Sequence, residues 1–360
     1  MKNQYSIFLL FLLIIIFSSI TAAQINLDVT KFLEGSAIED ITGDGENIWA
    51  ATNGSGVYRY NIKNNKWTNY STSKNNLQND FVYSIAANKQ YVWAGSIDGL
   101  MILDKKRNRW MKRKFAKGGQ LSNWIRSLSY DASSDLLWIG RFKYLTKYDI
   151  KKRKFIDYDL TTGGDEKTNT IKSIQVDGDS LVWFGTEAGL HKYDKFRDLD
   201  EKGAVEFYNN RLNFFRGEGD EVSISSILFE QNNVWIGLDE FVTQYNPNYN
   251  LGGLYKFDRR NEWKRFDTET GFAANGIYDI ERTGNFLWVS LYQFGDKTKD
   301  QYGRGLALLN IITNEVKMIY DERIPNTINT LYFDGKNMWL GSSSGIIRIE
   351  LINKLAQWQK

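Results

Sequence analysis

Apolar residues recur along the chain in a fixed order. First comes an Ile-x-x-Ile-like stretch, as in Ile38/Ile41, Val82/Ile85, Ile171/Ile174 and Ile277/Ile280. A column tryptophan follows, Trp49, Trp93, Trp138, Trp183, Trp235, Trp288 or Trp339, each after an apolar residue and most with Gly two positions on. Next is a motif typified by Gly189-Leu-His-Lys-Tyr-Asp and Gly253-Leu-Tyr-Lys-Phe-Asp; the third copy has Tyr144 in the Gly position. A turn such as Lys63-Asn-Asn-Lys then leads to an aromatic or apolar stretch headed by Trp67, Trp110, Phe155, Phe207, Trp263, Val316 or Trp358. Each unit therefore predicts four short strands.

The Trp intervals are 44, 45, 45, 52, 53 and 51 residues. Seven repeats of this length, each of four strands, predict an all-β, seven-bladed β-propeller. One blade cannot bury both its faces alone, so the large rings fill the wedge between neighbours, a structural role for all seven. Each such Trp buries on the order of 150–250 Å², an upper bound of roughly 4–6 kcal/mol. The last unit, Ile328 to Trp358, reads as four strands of its own. Ile25 to Thr30 is expected either to add an edge strand to it or to pair in place of the Trp358 strand, tying the ends of the ring together.

Ahead of the repeats, Lys2 precedes an unbroken apolar run from Ile7 to Phe17 and the small residues Thr21, Ala22 and Ala23. This is the layout of a secretory signal peptide over 1–23, leaving 24–360 as a single propeller. Eleven apolar residues rise about 16 Å as a helix, half a bilayer core. No later stretch approaches transmembrane length, so the expectation is an exported protein, periplasmic or secreted, with no membrane span once the leader is removed.

Charge and composition narrow the chemistry. Lys and Arg number 46 against 43 Asp and Glu, too even for a nucleic-acid binder. There is no Cys, which removes disulfides, thiolate metal sites and Cys nucleophiles. The single His191 falls in a third-strand column with Tyr58, Met101, Thr146 and Tyr255, which marks it as a strand residue. Gly43-Asp-Gly45 and Asp177-Gly-Asp179 hint at calcium loops but lack a spaced ligand set, and both sit where a first hairpin must turn. No metal or cofactor is expected.

The succession Ile-x-x-Ile, Trp-Ile-Gly and Gly-Leu-x-Lys-Tyr-Asp resembles the two-component regulator propeller repeat, over the whole mature chain. That resemblance implies the periplasmic sensor part of hybrid histidine kinases, often responsive to glycans. No kinase, DNA-binding or sorting segment follows Trp358 in this sequence, so the expectation is a stand-alone propeller of that repeat type. The streptogramin lyase propeller is similar in its Gly/Trp blades, but its catalysis uses His, which disfavours the same chemistry here.

Subtracting the repeat columns leaves one tryptophan, Trp124, at the start of the third innermost strand. Its counterparts are Ala37, Phe81, Thr170, Ser223, Gly276 and Thr327. Two residues on lie Glu39, Tyr83, Arg126, Lys172, Ser225, Tyr278 and Asn329. Strict alternation puts both sets on one side of the strand, opposite the repeated Ile. Phe81, Tyr83, Trp124, Arg126, Lys172 and Tyr278 are thus candidates for an aromatic and basic rim; the competing reading is that the rings fill space and the cations pair with Glu39 or solvent. Two neighbouring insertions, Asp239 to Gly252 and Gln293 to Arg304, add Phe241, Tyr245, Tyr249, Phe294 and Tyr302 as a lip on the same face. Lys195 to Ala204 is a third, charged insertion on the other face. The expected partner is a glycan or a protein ligand, bound without catalysis. The alternatives are a carbohydrate lyase or hydrolase using Tyr83, Tyr278 and Glu39, or an accessory subunit of a cell-envelope complex.

Overall fold

A computed structural model describes residues 27–210, 215, 222–230, 232–240, 252–295 and 301–351. The leader lies outside the described residues. Seven four-stranded antiparallel sheets follow one another, numbered here as blades 1 to 7. Blade 1 comprises Ile38–Gly43, Asn47–Thr52, Val57–Asn61 and Lys66–Tyr70, in order from the axis outward. Blades 2 to 6 repeat this order, and all seven innermost strands touch both neighbours, which closes the ring.

Blade 7 departs from it. Its inner three strands are Ile328–Phe333, Asn337–Ser342 and Gly345–Glu350. Its outermost is Asp28–Phe32, in register from Asp28↔Glu350 to Phe32↔Ile346. The last unit does not supply its own fourth strand: the first strand of the propeller takes that place, and Trp358 lies outside the described residues. Packing explains the choice. Phe32 meets Tyr60, Trp67 and Trp339 at ring separations of 5.7, 5.7 and 6.0 Å, and Leu27 is buried with Trp288 and Leu351.

All seven column tryptophans, Trp49, Trp93, Trp138, Trp183, Trp235, Trp288 and Trp339, are at most 1% exposed, as radial packing requires. The column is less uniform in its polar contacts than in its burial. In five blades the residue at the first hairpin turn accepts the indole N–H: Asp44 from Trp49 (2.7 Å), Asp177 from Trp183, Glu230 from Trp235, Thr283 from Trp288 and Asp334 from Trp339. Trp93 and Trp138 are the exceptions, since their buried indole N–H groups meet no acceptor among the described residues. Aromatic packing holds these two instead. Trp93 stacks on Tyr130 at 5.6 Å and lies 5.8 Å from Tyr91, while Trp138 meets Phe184 and Tyr193 edge-on at 5.5 and 5.8 Å.

Asp44 and Asp177 also take the cations Lys105 and Arg259 from the third hairpin of the next blade. Burial alone pushes the Asp44 carboxyl up, but Lys105 and the indole N–H together hold it below its usual value. The two Asp-Gly turns weighed as calcium loops are therefore joints between blades.

A second column sets how closely blades approach. On the innermost strands Ser84, Ser127, Ser173, Ser226 and Thr330 stand directly opposite Gly95, Gly140, Gly185, Gly237 and Gly341. A Cβ at Gly140 would overlap Ser127 Oγ and come within 2.7 Å of Ile171 in blade 4. In blades 1 and 6 the glycine is replaced by Ala51 and Ser290, and the residue opposite is an aspartate, Asp40 or Asp279. These carboxylates reach forward to the next blade's open backbone edge: Asp40 accepts Ile85 N–H (2.8 Å) and Asp279 accepts Leu331 N–H (2.7 Å). Burial pushes the Asp40 carboxyl up to about 7, with Asp279 adding like-charge repulsion.

Candidate ligand site at the mouth

The antiparallel ladder puts the start of each innermost strand beside the end of the second, as in Ile38↔Thr52. Strand starts and second-to-third-strand loops therefore share one face, called the mouth below. Strict alternation fails there. Every innermost strand shifts register just after its repeated aliphatic residue, so that Glu39, Tyr83, Arg126, Lys172, Ser225, Tyr278 and Asn329 are each an extra, bulged residue. A bulge re-aims its side chain, and here it does so seven times around the rim.

At blades 2 and 3 the bulges bring aromatic rings together. A short 3-10 turn, Leu121–Asn123, delivers Trp124 to the mouth. The buried Asn123 side chain fixes that turn, accepting from Phe115 N–H (2.7 Å) and donating to Phe115 O (3.1 Å). The Trp124 ring lies parallel to Phe142 at 5.5 Å, and Tyr83 tilts against it at 5.6 Å. The Arg126 guanidinium sits 5.5 Å from the Trp124 ring and 5.8 Å from that of Phe142, and its Nη1 meets Glu187 of blade 4 at 2.5 Å. Phe81, beside Gly54, is half exposed at 49%.

At blades 4 to 6 the same rim carries a polar network. Lys172 pairs with Asp239 and donates to Ser223 Oγ (2.9 Å). Ser223 (2.6 Å) and the Tyr292 hydroxyl (2.9 Å) also donate to Asp239. Burial acts to raise the Asp239 carboxyl, but Lys172 and the two hydroxyls keep it below its usual value. Burial and then Asp239 push the Tyr292 phenol well up. Tyr278 stacks on Tyr292 at 4.3 Å.

The predicted rim residues thus fall into two groups. Tyr83, Trp124 and Arg126 converge; Lys172 and Tyr278 join the Asp239–Tyr292 network; Phe81 stands at the edge of the first group. The cations pair with Glu187 and Asp239, not with Glu39, which accepts from Asn53 instead (3.1 Å). Tyr302 packs on Phe294 within its own insertion and donates to Gly295 O (2.9 Å). Phe241, Tyr245 and Tyr249 lie outside the described residues. Sequence reasoning missed Phe142, Glu187 and Tyr292, which come from second strands and their loops. The signal for Phe142 was the broken motif around it. Where blades 1, 2, 4 and 7 have Thr or Ser followed by a Gly, as in Thr52/Gly56 and Ser96/Gly99, blade 3 has Arg141 and Tyr144. Arg141 is fully buried against Phe115 and Tyr144 and paired with Asp157 at 2.9 Å.

The single histidine is a strand residue. His191 is 1% exposed in blade 4, its ring 4.7 Å from Phe207, and its Nε2 bonds Thr168 O at 2.9 Å. Burial lowers it to about 4, so it is neutral at physiological pH. Among the described residues no group of three or more His, Asp and Glu is placed to hold a metal ion.

No protein-family model matches the chain, and no curated protein matches it by sequence. Solved structures do. The extracellular domain of a putative hybrid two-component system from B. thetaiotaomicron aligns with a TM-score of 0.66 at 21% identity, over 89% of this chain and 39% of that one. Virginiamycin B lyase from Staphylococcus aureus aligns at 0.65 with 14% identity, over 91% of this chain and 100% of that one. The WD40 repeats of RRP9 align at 0.64 with 9% identity, over 90% and 97%. A sensor domain, a lyase and a WD40 protein share little chemistry, so what these likenesses establish for this chain is its fold, the β-propeller.

Proposed function

We propose that this chain is an exported, non-catalytic binding propeller that recognises a glycan at its mouth, in the manner of the sensor propellers whose repeats it resembles. One observation carries the reading. Trp124 gathers Tyr83 and Phe142 at the mouth, with Arg126 over the Trp124 and Phe142 rings, on a scaffold whose other described tryptophans all belong to the repeat columns. Aromatic faces pair with the apolar faces of sugar rings, while a few fixed polar groups set orientation. Export rests on the leader, Ile7 to Phe17; no described helix is long and apolar enough to cross a membrane.

The enzymatic alternative has less support. Tyr83 and Glu39 are neighbours, and after burial the Glu39 charge is what raises the Tyr83 phenol, but Tyr278 belongs to the Tyr292 stack of blade 6. The streptogramin lyase propeller uses His in catalysis, and the one His of this chain is inside blade 4. The test is thermal unfolding of residues 24–360 against a panel of oligosaccharides. A sugar at 100-fold excess over its Kd stabilises the native state by about 2.7 kcal/mol. Trp124→Ala should fold and lose that shift; a shift retained in the variant refutes the site, and no shift with any sugar refutes the glycan.

A further inference from the structure

Resting on the glycan-binding reading, we infer that the mouth excludes anionic glycans, and that Glu187 and Asp239 set this selectivity by cancelling the two cations of the rim. Arg126 and Lys172 are the cations that the bulged column presents. Each meets a carboxylate carried on the second-to-third-strand loop of the following blade, Glu187 for Arg126 and Asp239 for Lys172. Neither pair is loosely placed. Asp239 is held by two further hydroxyl donors, and Arg126 is fixed over two rings as well as by its ion pair. Three further lysines near this face are paired in the same way: Lys112 and Lys114 share Asp98, and Lys143 meets Glu166.

Glu39 adds a further carboxylate at the rim, where it accepts from Asn53. A uronate or sulfate entering here would have to displace Glu187 from Arg126 while approaching Glu39. An uncharged sugar meets neither obstacle and keeps the aromatic contacts. Specificity of this kind comes from what the site repels as much as from what it attracts.

Glu187 is the residue to change, because its side chain is one-third exposed and Gln keeps its shape; Asp239 is too deeply tied into its network. Wild-type protein and Glu187→Gln, matched for melting temperature, are read on a glycan array spanning neutral, uronate-bearing and sulfated chains. The wild type should bind neutral chains only. Glu187→Gln should gain at least one anionic chain by about tenfold, the effect of one freed charge-assisted hydrogen bond. A wild type that prefers anionic chains overturns the inference and leaves glycan binding standing. A variant with an unchanged profile removes Glu187 from the role. Silence of both proteins across the array overturns the glycan reading and this inference with it.

Discussion

Asp40→Asn tests the electrostatics of the ring most directly. The Asp40 carboxyl rises from 3.8 to about 7, first through burial and then through repulsion from Asp279 and Glu39, against the backbone N–H groups of Ile85 and Ile41. The folded state therefore holds this proton more tightly than the unfolded chain does. Its contribution is fully present below about pH 4 and is lost as the pH rises through 7. At face value that rise is worth about 4 kcal/mol. Asp40 is only partly buried, so solvent screening reduces the expected loss to about 1–2 kcal/mol between pH 5 and 8. Both oxygens of the protonated carboxyl face a backbone N–H, from Ile41 and Ile85, and the Asn amide nitrogen cannot accept, which costs about 1 kcal/mol at the acid end. The assay is the urea midpoint of wild type and variant at each pH. Glu281 and His191 titrate in both proteins, so their contributions cancel in the difference. Wild-type stability minus variant stability should fall by about 1–2 kcal/mol from pH 5 to pH 8. Parallel curves would refute the reasoning, since they would mean that Asp40 ionises like an exposed carboxylate.

Two further changes probe the joints between blades. Gly140→Ala pushes a methyl into Ser127 Oγ and Ile171 and should cost about 1–3 kcal/mol by overpacking, read as a lower thermal midpoint; an unchanged midpoint would mean that blades 3 and 4 separate freely. Lys195→Met strands the fully buried Asp131, which it meets at 2.6 Å, and should cost about 3–5 kcal/mol. Adding Asp131→Asn should restore much of that loss in a double-mutant cycle, and failure to do so would assign the loss to packing of the lysine stem.

Much of this architecture is legible in the sequence because a propeller repeats one packing problem seven times. The wedge between blades demands a large ring at one place in each repeat, and column by column the tryptophans, the outer-strand heads through Val316 and the buried position of His191 follow. Trp124 could be singled out for the same reason: it answers no repeated demand. What resists reading is whatever one blade does to another. Burial of Trp93 and Trp138 follows from the column, whereas their lack of the hairpin acceptor that serves the other five does not. Glu187 and Asp239 come from loops that no column aligns, so the partners of Arg126 and Lys172 could not be named. The seven bulges leave the alternation of the sequence intact while changing where its side chains point. Ring closure pairs residues more than 300 positions apart, Thr30 with Arg348, with no turn to set the register.

The contacts that join blades run in one direction around the ring. Asp44 waits for Lys105, Asp131 for Lys195, Asp177 for Arg259, Arg126 for Glu187 and Lys172 for Asp239. In each pair the partner is synthesised tens of residues later, so a chain emerging from its N-terminus can complete one joint after another as it lengthens. The outermost strand of blade 7 inverts that order. Asp28–Phe32 is the first strand of the ring to be made and the last to find its partner, because Gly345–Glu350 arrives only when all the other blades have been made. Until then it is an unpaired edge, and six complete blades stand as an open arc. The step that makes the molecule a ring is thus postponed to the end of synthesis, and a chain stalled before Gly345 keeps both its first strand and its open edge available to other strands.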